Sequence, residues 1–214
     1  FADRAAAVAG VDPHELGWGA LCCDVDKFTP VSRELSHYGR EGLDFPPEQW
    51  GARTGLDPET LRRHRVFLAG YLSHMALDEA WYGWLLGQLR VVATQGWEGD
   101  TTKAWNLAMD RELRPGLRSD WAFPFGVEVV LPHLRGAPGL AMRQAALAYV
   151  SWDGSAEARG QHPLMARYVR TMHQAGEAQL ERVDRLMRAG SSASLFEACE
   201  AFVNDAVVRF LARV

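Results

Sequence analysis

The chain has 214 residues, 48% hydrophobic and 23% charged, with a formal net charge of −4 and a pI of about 6.0. That length suits one domain with a sizeable core, so a single domain spanning 1–214 is expected. The acidic balance gives no support for a nucleic-acid partner, which would need a basic face. No apolar run reaches the roughly 20 residues of a membrane span. No secretory signal is visible, so the expected compartment is the cytoplasm. The sequence opens at Phe1, and whether a ligand precedes it is left open.

The elements read as helical nearly throughout. Asp12-Pro13 with Glu15 is a start signal, the Asp as cap and the Pro at the first position. Residues 26–58 are the least regular stretch, punctuated by Pro30, Pro46, Pro47 and Pro58 and by Gly39, Gly42, Gly51 and Gly55. They predict a long loop region of the kind that often carries function. Asp57-Pro58-Glu59 repeats the start signal, and apolar residues at three- and four-residue steps predict one strong, central helix over 60–94. Further helices are predicted after Asp100, ending near Pro115-Gly116, over 121–133 with a stop near Gly136, over 138–151, over 163–188 and over 194–213. No strand-like alternation, phosphate-binding glycine loop or repeat is present. An all-α bundle of about seven to nine helices is expected.

Cys22, Cys23 and Cys199 are a poor disulfide framework and read as small buried thiols. The chemistry centres on His74 and Asp78. Four residues apart, they share one face of the central helix. An imidazole and a carboxylate can converge there on one ion. Their neighbours Phe67, Leu68, Tyr71, Leu72, Leu77 and Trp81 are apolar, and a carboxylate among them needs a partner. A metal would serve, as would a His–Asp hydrogen bond or a nearby Arg. Upstream, Asp24 ends a mostly apolar segment and His37 lies in the Pro/Gly-rich region. Two carboxylates and two imidazoles would complete a shell for one divalent ion and neutralise it.

The order Gly19-Ala20-Leu21-x-x-Asp24, then Ser36-His37-Tyr38, then Phe67-x-x-Gly70-Tyr71-x-x-His74-x-x-x-Asp78 resembles the bacterial zinc-dependent phospholipase C family over about residues 16–84. The resemblance implies a phospholipase C/P1 nuclease-like all-α fold and a zinc-dependent site that cleaves phosphodiesters. It implies that Asp24, His37, His74 and Asp78 are ligands of one metal. The rest of a three-zinc site does not map. His14 is closer to Asp24 than the family's early His and is not assigned. Trp84 and Leu85 stand where the family places another His, and Asn106-x3-Asp110 stands where it has H-x3-E. Asp24 and Asp110 are the candidate bases, Asp110 alternatively a fifth ligand or an exposed acid beside Arg111.

His173-x3-Glu177 has metal-compatible spacing but fits a solvated helix face, and His64, within Arg62-Arg63-His64-Arg65, fits a charged surface. His133 and His162 read as loop residues. Trp18, Trp81, Trp84 and Trp105 are candidate walls for a small-molecule or lipid-like substrate, with core packing as the plainer reading. The expected function is metal-dependent hydrolysis of a phosphodiester or related ester by activated water, most naturally with Zn2+. Iron or manganese also suits two His and two carboxylates. Two alternatives stay open: a non-hydrolytic metalloenzyme of small-molecule biosynthesis, and a metal-stabilised binding protein.

Overall fold

The structure is a computed structural model that describes residues 2–27, 29–37, 55–93, 136, 140, 144 and 192–214. Among these residues every regular element is helical, and there is no strand.

Helix α1 (Ala2–Ala9) is alanine-rich and ends where Gly10 turns to φ +67°. That left-handed turn lets the Val11 N–H reach back to the Ala6 carbonyl at 3.0 Å, the wide ring that closes many helices. Helix α2 (Pro13–Cys22) starts as predicted, with Asp12 as cap, its carboxylate accepting from the His14 N–H. A 3-10 turn over Cys23–Lys27 follows, with Asp24 at its non-helical bend (φ −86°, ψ 22°). The short helix α3 (Arg33–Ser36) is capped by Ser32.

Where one helix was expected over 60–94, the structure has two. Helix α4 (Pro58–Arg63) is capped by Asp57, and helix α5 (Arg65–Ala93) begins after a break at His64. The break falls inside the basic run Arg62–Arg65, where no apolar periodicity bridges the two. Helix α6 (Ser192–Arg213) covers the last predicted helix. The helices predicted over 100–115, 121–133 and 163–188 lie outside the described residues. So does 138–151 apart from the helical Leu140 and Gln144, and Gly136, the expected stop, has φ +70°.

Helix α5 is the centre. It packs along α2 and along α6, and α1 also touches both, so the four close around one core. Residues 67–73 are buried on every side of α5, which explains why its sequence is apolar all round. Leu16 and Trp18 from α2, Phe67, Leu68 and Tyr71 from α5, and Val207 and Phe210 from α6 fill the interior. At the α2–α5 crossing the helices meet backbone to backbone. A Cβ on Gly19 would overlap the Phe67 carbonyl, and one on Gly70 would overlap the Leu16 carbonyl. Only glycine permits this approach, and it sets Asp24, just beyond α2, beside His74, one turn along α5. All three cysteines are buried. No helix of the described residues is long and apolar enough to cross a membrane.

Candidate metal centre

Three segments supply the site. The turn after α2 brings Asp24, the end of α3 brings His37, and α5 brings His74 and Asp78. The structure places these four together. Oδ1 of Asp24 lies 3.5 Å from Nε2 of His74 and 4.0 Å from Nε2 of His37. Oδ2 of Asp78 lies 3.8 Å from both of those nitrogens. The imidazole rings meet edge-on, their centroids 5.8 Å apart. Two ligands on one tetrahedral zinc stand roughly 3.3–3.5 Å apart, given bonds of about 2.0–2.1 Å. The four His–carboxylate separations, 3.5–4.0 Å, are at or somewhat above that spacing.

The orientation of His37 is fixed from behind. Its Nδ1 lies 2.8 Å from Ser36 Oγ, which in turn lies 3.1 Å from Oδ1 of Asp26. A carboxylate only accepts, so the hydroxyl donates its single proton to Asp26 and accepts the Nδ1–H. This tautomer leaves a lone pair on Nε2, directed at two carboxylates. Nε2 of His37 is buried and has no hydrogen-bond partner. Burial, then the Arg33 guanidinium, pulls this imidazole below its ordinary pKa despite Asp24 and Asp78. A protonated ring is thus disfavoured, and a lone pair facing anionic oxygens calls for a cation. The Ser36 carbonyl accepts from the Tyr71 hydroxyl and from the Cys23 thiol, the latter at 4.0 Å, which ties α3 to α5 and to the turn.

Two further groupings share His37. Cys23, His37 and His74 each bring a donor atom within 4.8 Å of the others, and so do Asp24, Asp26 and His37. These groups of Cys, His and Asp are able to hold a metal ion. Burial first, then the charges of Asp24 and Asp78, pushes the Cys23 thiol far up, so it is protonated unless an ion displaces the proton.

Reading the residues alone missed Arg33, Asp26, Ser36 and Cys23. Arg33 donates from Nη2 to Oδ2 of Asp78 at 2.8 Å, and its Nη1 is 3.7 Å from Oδ1 of Asp24. Its four-residue spacing to His37 has meaning only once α3 is known to be a helix. Of the candidate substrate walls, Trp18 (1% exposed) belongs to the core and Trp81 (2%) is buried. The side chains of Trp84, Trp105, Asp110, His173 and Glu177 lie outside the described residues. His14 stands one residue into α2 and holds the cap with its N–H, and His64 closes α4. No family model, curated protein or solved structure matches the chain.

Proposed function

We propose that the chain is a divalent-metal-dependent hydrolase of a phosphodiester or related ester, on a phospholipase C/P1 nuclease-like helical scaffold. One observation supports it above the rest. The Nε2 lone pair of His37 is held, buried and without a hydrogen bond, against the carboxylates of Asp24 and Asp78 and beside Nε2 of His74. Asp24, His37, His74 and Asp78 would hold the ion, and zinc suits these donors best. When bound, such an ion lowers the pKa of a water and polarises a phosphoryl oxygen. The chain's own part is to orient the ligands. Asp26 and Ser36 fix the His37 tautomer, and the apolar wall of α5 keeps bulk water from the inner side. Asp24 is the described candidate base, and Asp110 is the other. A small-molecule or lipid-like ester fits the acidic chain better than a polyanion does.

A second reading is a single-ion metalloenzyme of another class, or a metal-stabilised binding protein. It draws on the fact that both donor groupings share His37, so the described residues offer one centre.

Metal analysis of purified protein should find about one zinc per chain. A chromogenic phosphocholine ester should be turned over, with turnover lost in Asp24→Asn and on chelation. Zinc without turnover on any phosphoester would favour the second reading. No metal, with His74→Ala melting like the parent, would end the metal reading. The cobalt-substituted protein separates the donor groupings, because a thiolate charge-transfer band that vanishes in Cys23→Ser would bring Cys23 into the shell.

A further inference from the structure

The site contains a cation of its own. Arg33 opens α3 one turn before His37, so the two side chains leave the same face. Its guanidinium spans the two carboxylates, donating to Oδ2 of Asp78 at 2.8 Å and lying 3.7 Å from Oδ1 of Asp24. These are the same two oxygens that approach both imidazoles. The guanidinium therefore holds the atoms that a bound ion would need.

We propose that Arg33 is a resident counter-cation that competes with the divalent ion for Asp24 and Asp78 and moves toward solvent when the ion binds. The inference rests on the metal reading above, since it requires an ion at this site. Charge supports it. Asp24 and Asp78 with the guanidinium sum to −1, and with a dication alone they sum to zero, Asp26 adding one further negative charge beyond Ser36. Holding both cations would put two positive centres on the same two oxygens, in a site whose four donor side chains are only 11–20% exposed. Like charges at such short range are poorly screened.

Access supports it too. The Arg33 side chain is 46% exposed, so it has a path outward that the donors lack. Its backbone need not follow. The Arg33 carbonyl accepts from the His37 N–H at 2.8 Å. That bond positions His37 whichever way the guanidinium points, and it survives replacement of the side chain. The rival role is a supporting one, in which an arginine bonded to a ligating carboxylate orients it and strengthens metal binding. The two roles predict opposite signs.

Zinc affinity of the full chain is measured by competition with a chromophoric chelator, alongside melting of the metal-free and zinc-loaded forms. Arg33→Gln should bind zinc on the order of tenfold tighter or more, since a charge-assisted competitor has gone. Its metal-free form should melt lower than the parent, and its zinc-loaded form no lower. Arg33→Lys, which keeps charge but not the fork, should fall between. Where Arg33→Gln fails to fold without zinc, Arg33→Lys alone decides, and affinity no tighter than the parent overturns the exchange. Equal or weaker zinc binding by folded Arg33→Gln also overturns it, while leaving the metal site standing. Failure of the parent itself to bind zinc, cobalt or manganese overturns both.

Discussion

The crossing of α2 and α5 and the polar site beside it lie a single helical turn apart and are built on opposite physics. At the crossing the contact is backbone on backbone, with the Glu15 carboxylate of α2 bonded to the Phe67 backbone at its edge. Gly19 and Gly70 let two backbones touch, and the geometry follows from the absence of side chains. At the site the geometry follows from groups that need one another. Carboxylates, imidazoles and a guanidinium are held at 2.8–4.0 Å, with His37 anchored through Ser36 and Asp26. The first region needs no metal. The second responds to pH, salt and metal. The crossing places the site, and the site adds little to the crossing.

The sharpest way to break this comparison is to put a methyl group in the crossing. Gly70→Ala should destabilise by about 3 kcal/mol or more, at the upper end of overpacking penalties, because the obstructing atoms are backbone. Gly19→Ala should do the same. Both should lose zinc binding when measured above their lowered midpoints, and denaturant melts check this. Zinc should have the next largest effect. At a hundredfold excess over its dissociation constant, an ion bound only by the native state adds about 2.7 kcal/mol. That gain should vanish in His74→Ala, whose metal-free form still keeps the crossing.

A smaller effect comes from pH. His37 has a folded pKa below its unfolded value of about 6.5. The unfolded chain therefore binds the proton first as pH falls. Stability of the metal-free protein should be full above pH 6.5 and decline below it, down to the folded pKa. His37→Gln should flatten that decline, and urea melts across pH 5–8 read it out. The smallest effect lies far from both regions. Arg209 and Asp205 pair at 2.8 Å on the exposed face of α6, and Asp205→Ala should change stability by less than about 0.5 kcal/mol.

Of the four candidate ligands, His74 and Asp78 were suggested by their spacing on one helix face, while Asp24 and His37 joined them through the resemblance to a family's ordered motif. His74 and Asp78 are one turn apart on a helix that its apolar pattern makes unmistakable. The helix starts at Asp12 and Asp57 were readable from local capping chemistry, which needs no tertiary contact. Three things were not. The glycines of the motif, Gly19 and Gly70, look like ordinary helix weaknesses until two helices are known to cross there. Arg33, Asp26 and Ser36 sit in a stretch punctuated by Pro and Gly, where a four-residue helix carries too little periodicity to see. The break at His64 is hidden because a run of bases is compatible with a continuous helix or with a stop. Trp18 shows the limit from the other side, since an indole near ligands in sequence can belong wholly to the core.

The glycine crossing also decouples scaffold from chemistry. Because the α2–α5 contact is made backbone to backbone at Gly19 and Gly70 and by none of the candidate ligands, the positions held by Asp24, His37, His74 and Asp78 are free to change donor type without loss of the cradle that aims them. A handful of single substitutions at those positions would turn one framework into a series of sites with thiolate, imidazole or carboxylate character. The framework is in that sense a reusable socket, and its two smallest residues are what make it so.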